Sequence, residues 1–279
     1  MQFNHSLQAS LKKLDPIRRF ALFLVIFSGF ALGYNFSNAV LLHLAATLGF
    51  GLVLYWLYSR LSAKRKNVWD TVITTLIIFL LLHYGDNLLY PLLATFFAIT
   101  LKFFIEWKDS PVVNPAAGAL LLTAGVLALI PGIDQPFISW WGTTFWALPW
   151  GVSVSFLLMA LWILGGFYVW RKWAIFAGFL GVYFLILFGL MLFFGSADKE
   201  SMHFVLTDST IYFLAAIMLP EPKTSPALPW KQGVYGVIAA LVYSVLAIAA
   251  VPNYALFALV AANLFNAGFR LRKNKNLTQ

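Results

Sequence analysis

The chain has 279 residues, 61% of them hydrophobic and only 10% charged, with a formal net charge of +9 and a mean hydropathy of +0.83. Those values exclude an ordinary soluble domain and place the chain among polytopic membrane proteins, where backbone polar groups must be satisfied internally and an all-α bundle is expected. The lack of cysteine excludes disulfides, thiolate-held iron–sulfur clusters and cysteine nucleophiles.

Residues 1–18 read as a polar cytoplasmic segment, with Lys12, Lys13, Arg18 and Arg19 just before the first apolar run. No small-residue cleavage site follows, so a retained first helix is expected. Apolar segments then fall at 19–36, 39–59, 67–84, 87–105, 114–131, 150–170, 173–195, 203–219, 232–250 and 253–270. Each approaches the ~20 residues of a membrane span, with 203–219 the shortest. They predict a single ten-helix transmembrane domain over 19–270 and a basic cytoplasmic tail at 271–279.

Charge placement agrees with that count. Alternate loops carry every basic residue except Lys199, which is the asymmetry of the positive-inside rule for a protein with both termini in the cytoplasm. The excess charge therefore follows topology and gives no reason to expect nucleic acid as a partner.

Lys108-Asp109-Ser110-Pro111-Val112-Val113-Asn114-Pro115-Ala116-Ala117-Gly118 reads as a loop turning abruptly into a helix. Asn114 suits the N-cap and Pro115 the first helical position. The small residues that follow let backbone or a flat ligand approach a positive helix end. The loop from Asp134 to Trp150 holds Trp140, Trp141, Trp146 and Trp150. It reads either as an interfacial aromatic belt or as a stacking platform for a flat aromatic cofactor.

Ten spans divide into two sets of five, and an odd number inverts the second set in the membrane. The third span opens Trp69-Asp70-Thr71-Val72-Ile73-Thr74 and the eighth Thr207-Asp208-Ser209-Thr210. Asn114-Pro115-Ala116 in the fifth corresponds to Pro252-Asn253-Tyr254-Ala255 in the tenth. Such polar helix starts would meet near a central pseudo-twofold axis. Asp208 is either an N-cap or an ion-carrying carboxylate within a span. Asp70 reads as an interfacial cap, and His43 as a satisfied packing residue. No spacing argues for a metal site or for Ser-His-Asp chemistry.

Four stretches, taken in order, resemble the family of the D subunit of the Rnf electron-transport complex and the B subunit of the sodium-translocating NADH:quinone reductase. They are Lys102-Phe103-Phe104 through Asn114-Pro115-Ala116-Ala117; Leu164-Gly165-Gly166 through Arg171-Lys172-Trp173; Met218-Leu219-Pro220-Glu221-Pro222-Lys223-Thr224-Ser225-Pro226; and Val251-Pro252-Asn253-Tyr254 through Asn263-Leu264-Phe265. The resemblance implies a urea-transporter-like fold of two inverted five-helix repeats in the bacterial inner membrane. It also implies a flavin, as FMN or riboflavin, and electron transfer beside other membrane subunits, coupled to Na⁺ or H⁺ movement.

Family members esterify FMN to a threonine in an SGAT-like motif. This chain lacks that motif, and its nearest counterpart is Gly142-Thr143-Thr144. Candidate flavin contacts are therefore Thr143, Thr144, Trp140, Trp141 and Asn114. The alternative is a channel or transporter for a small solute or ion, its path lined by Asp208, Asn114, Asn253, Thr74 and Thr210. A ligand-free structural membrane subunit is the third expectation.

Overall fold

The computed structural model describes residues 15–62, 66–83, 87–107, 110–130, 138–149, 151–195 and 198–275. Lys12, Lys13, Lys64, Arg65, Lys108, Asp109, residues 134–137, Trp150 and the side chains of Lys199, Arg272, Lys273 and Lys275 lie outside the described residues.

A helix lies in every expected apolar segment. Helix α1 (Pro16–Tyr34) starts at the Asp15 cap with proline in its first turn, and α2 (Asn38–Leu61) starts at Ser37, whose hydroxyl accepts from the Val40 N–H. They are followed by α3 (Val68–Leu81), α4 (Leu89–Phe104), α5 (Pro115–Ala128), α6 (Val154–Trp170) and α7 (Trp173–Phe193). After α8 (Lys199–Thr207) and the two-part α9 come α10 (Pro229–Ile248) and α11 (Tyr254–Lys275). By length and composition α1, α2, α7 and α10 can cross a membrane. The other apolar helices are shorter, and the chain is an all-α membrane protein.

Three features depart from a plain run of ten helices. The eighth segment is not continuous. It breaks at Asp208, whose carboxylate accepts the Thr210 N–H at 2.9 Å and starts a new helix, α9 (Ser209–Phe213), that widens into a π turn at Leu214–Met218. The loop before α5 carries a small hairpin, β1 (Glu106–Trp107) paired antiparallel with β2 (Ser110–Pro111). Helix α11 runs past residue 270 into the expected tail, because the Arg, Leu and Lys that follow are good helix formers with no proline among them.

The core is organised around α3 and α9. At 14 residues α3 is about 21 Å long, well short of a bilayer core. It is buried throughout from Ile73 to Leu81, and α9 is buried throughout from Phe213 to Met218. A helix ending inside apolar surroundings exposes carbonyls that need donors. The Trp141 indole N–H supplies Phe79 O and Leu82 O at 2.8 and 2.9 Å, while the backbone N–H groups of Ser139 and Trp140 share Leu81 O. Gly142 fits here because a Cβ would lie 2.5 Å from the Leu80 side chain and 3.0 Å from its Cα. Residues 138–143 thus dip inward to close the end of α3.

The other helices wrap this pair. In the first half α3 lies against α1 and α2, and α4 against α2 and α5; in the second half α10 lies against α7 and α11. The contact of α7 with α10 is backbone to backbone: a Cβ on Gly178 would sit 2.7 Å from Gly233 O, and one on Gly236 2.4 Å from Ile175 O. Small residues at such a crossing replace the hydrophobic drive that lipid cannot supply. Trp162 of α6 reaches the π turn, donating its indole N–H to Ala216 O at 3.2 Å.

Candidate functional site

Two polar clusters sit at opposite ends of the α3/α9 pair. The first lies at the end carrying most of the described basic side chains. Lys102, in the last turn of α4, is buried and donates to Asp70 O and, at 2.7 Å, to Thr74 Oγ1. Asp70 is also ion-paired with Lys223, and Lys66 with Glu106. Asn114 caps α5, accepting the Ala117 N–H at 3.0 Å, while its Nδ2 donates to Glu221 Oε2 at 2.9 Å. Thr224 donates to the same oxygen at 3.1 Å. The backbone N–H of Asn114 donates to Asn263 Oδ1 at 2.7 Å, and Asn263 Nδ2 donates to the Tyr235 hydroxyl at 2.6 Å.

Further donors clamp the loop that holds Glu221. Asn266 Nδ2 donates to Thr224 O at 2.7 Å, Arg270 to Lys223 O at 2.8 Å and Lys172 Nζ to Pro226 O at 2.6 Å. Burial pushes the Glu221 carboxyl above the usual range, Lys102 opposes that shift and Asp70 adds to it. Burial, reinforced by Arg270, pulls the Lys172 ammonium down to about 8.

The second cluster surrounds the start of α9. Ser209 donates to Thr143 O at 2.5 Å, and its hydroxyl also meets Thr144 Oγ1 at 2.8 Å and Ser155 Oγ at 3.3 Å. Ser153 continues this row at 2.8 Å from Ser155. The Thr143 hydroxyl donates to Trp140 O at 2.7 Å and lies 3.2 Å from Thr210 Oγ1. Thr143 is fully buried, whereas Thr144 is exposed. A cavity of about 190 Å³ opens beside them, lined by Trp140, Thr210, Tyr243, Asn253 and Tyr254 among others. The Tyr243 and Tyr254 rings meet edge to face at 4.8 Å. Trp140 and Asn253 both hold positive φ, at 54° and 58°, a costly conformation for a bulky residue such as Trp140.

The expected site residues therefore divide. Trp140, Thr143, Thr144, Asp208, Thr210 and Asn253 gather at the cavity end. Asn114 and Thr74 belong to the charged end, about the length of α3 away, with Leu76–Leu82 and Leu214–Leu219 packed between. Asp208 is the cap of α9, and Trp141 closes α3. Trp140 and Trp141 are half-buried against the protein, whereas Trp146, edge-on to Phe30 and Tyr34, is exposed. His43 is buried edge-on to Phe79 at 5.3 Å, with neither ring nitrogen hydrogen-bonded to a described residue, so it packs without being satisfied.

Sequence reading missed Lys102, Lys223 and the asparagines Asn263 and Asn266 as parts of one network. A lysine inside the last turn of an apolar helix was the available signal for Lys102. Among the described residues no group of three or more His, Asp or Glu is placed to hold a metal. No protein-family model matches the sequence, and no curated protein is similar to it.

Proposed function

We propose that the chain is a flavin-carrying membrane subunit of an electron-transport complex, of the kind formed by the D subunit of Rnf and the B subunit of the sodium-translocating NADH:quinone reductase. The observation that carries this reading is that all four stretches resembling that family join in one hydrogen-bonded network. Asn114, Lys172, Glu221 with Thr224, and Asn263 come from the four separate stretches and bond to one another or to the same loop. Resemblance by chance gives no reason for that convergence.

The helix neighbours support a ten-span, twofold arrangement. The contacts of α2 with α4, α4 with α5 and α1 with α3 correspond to those of α7 with α10, α10 with α11 and α6 with α9. Both α3 and α9 start at an aspartate-bearing turn, and they run antiparallel. The basic end is read as cytoplasmic and the tryptophan end as the outer face of a bacterial inner membrane.

The residues at the tryptophan end suit a flavin. The cavity offers aromatic faces from Trp140 and Tyr254 and hydrogen-bonding groups from Thr210 and Asn253. Thr144 is exposed, as the site of a phosphate ester must be, whereas Thr143 is buried. A flavin bound there would supply one- and two-electron transfer. Ser209, bonded to both the Thr144 hydroxyl and Thr143 O, holds the attachment loop against α9. On this reading the electrons come from partner subunits.

The test is an absorption and fluorescence spectrum of the purified protein before and after denaturing electrophoresis. Flavin fluorescence on the denatured band that disappears in Thr144→Val and persists in Thr143→Val would support the ester. Flavin released on denaturation would support noncovalent binding in the cavity. Protein devoid of flavin, purified from cells able to flavinylate, would overturn the proposal. A second reading, a channel for a small solute, draws on the half-length helices α3 and α9; flux by the isolated protein in vesicles would favour it.

A further inference from the structure

A cavity of about 330 Å³ lies between α1 and α6, and none of its lining residues belongs to either polar cluster. Phe23, Trp162, Gly165 and Trp170 line it, Arg19 stands among the lining residues, and the exposed Leu161 marks where it opens to the lipid-facing surface. Its walls are stiff. Phe23 stacks on Trp162 at 4.7 Å, Phe20 packs edge-on to Trp170 at 4.7 Å, and Trp162 meets Trp170 at 5.3 Å. Gly166 lets Trp162 fold down, since a Cβ there would lie 2.6 Å from the indole. Gly165 has nothing within 4 Å of its Cβ position, so its missing side chain is part of the open volume.

We propose that this slot is a binding site for one acyl chain of an anionic phospholipid, with the phosphate group at Arg19. Three observations select this occupant. Among the described residues the lining is apolar apart from the half-buried Arg19, which stands at the end of the helices where Arg18 and Arg171 are exposed. Interfacial arginines at that depth attract anionic headgroups. The Trp162 indole N–H is committed to Ala216 O and offers nothing to a polar head lying deep in the slot, as a quinone carbonyl would require. The volume of about 330 Å³ matches much of one acyl chain and is too small for two. This site is independent of the flavin reading and depends only on the protein residing in a bilayer.

The test uses the full chain, delipidated in detergent and titrated with phosphatidylglycerol or phosphatidylcholine of the same chains, with retained lipid measured by native mass spectrometry. Wild-type protein is expected to retain phosphatidylglycerol preferentially. Arg19→Gln should weaken that retention roughly fivefold and leave phosphatidylcholine unchanged, as expected for one interfacial arginine near an anionic headgroup. Gly165→Leu should abolish retention of both by filling the slot, while melting at the wild-type temperature because its side chain enters open space. Equal retention of the two lipids, unchanged binding in Gly165→Leu, or recovery of a neutral quinone from the slot in place of phospholipid would each overturn the proposal.

Discussion

Replacing Asn114 with alanine removes two hydrogen bonds at once, which makes it the sharpest probe of the charged end. The side chain caps α5 through the Ala117 N–H and donates to the Glu221 carboxylate, while the Asn263 bond to its backbone N–H survives the substitution. Loss of a cap costs ~1 kcal/mol. Loss of a hydrogen bond to a buried carboxyl group costs about 2 kcal/mol more. Asn114→Ala should therefore destabilise the protein by roughly 3 kcal/mol. Asn114→Ser keeps a capping oxygen and should lose only about 2 kcal/mol. The assay is equilibrium unfolding in mixed micelles of rising dodecyl sulfate content, followed by tryptophan fluorescence. A double-mutant cycle with Glu221→Gln should show coupling of about 1 kcal/mol or more. A loss below about 1 kcal/mol in Asn114→Ala, or equal losses in the Ala and Ser variants, would refute this apportionment.

Five other outcomes are expected. The folded Lys172 ammonium releases its proton near pH 8 and the unfolded one at 10.5, so the unfolded chain binds more protons between those values and stability should rise across that window. Lys172→Met should flatten the rise. The raised Glu221 carboxyl acts in the opposite sense: its contribution is fully present below the unfolded value of 4.5 and is lost as pH rises through the folded one, a trend Glu221→Gln should remove. Trp141→Phe strips Phe79 O and Leu82 O of their indole donor and should cost about 1–3 kcal/mol in the same unfolding assay. Gly236→Ala places a methyl group against Ile175 O and should cost upwards of ~1–3 kcal/mol, whereas Gly181→Ala, with nothing near its Cβ, should melt like wild type. Asp208→Asn keeps a capping oxygen, so folding should be unchanged and any loss of ion coupling in proteoliposomes would isolate the charge.

The apolar runs were legible because lipid imposes length and composition on each helix, and the Asn114 cap because Asn-Pro is a local signal. Other features depended on context that no window of sequence contains. The cap role of Asp208 was one of its two readings, but the separate helix Lys199–Thr207 before it disappears in a hydropathy average that runs across both. Trp141 looked like a belt residue because nothing local says that α3 stops inside the protein and needs donors at its end. The distinction between Thr143 and Thr144 follows from which hydroxyl the Thr210 side covers. Lys102 and Lys223 were read for topology and as members of two resembling stretches, not as partners in a network; the groups they bond lie 28 to 153 residues away.

The π turn at Leu214–Met218 has a consequence for Glu221. A π turn inserts one residue relative to a regular α-helix, and each residue of an α-helix advances the winding by about 100°. Everything after Met218 therefore leaves the helix rotated by that angle from where unbroken α winding would aim it. In the phase it has, the chain delivers Glu221 to the Asn114 side chain and Lys223 to Asp70. Deleting one residue from the turn would restore regular winding with Glu221 in its present phase, whereas keeping every residue and forcing unbroken α winding would swing the carboxylate to a different side of the axis.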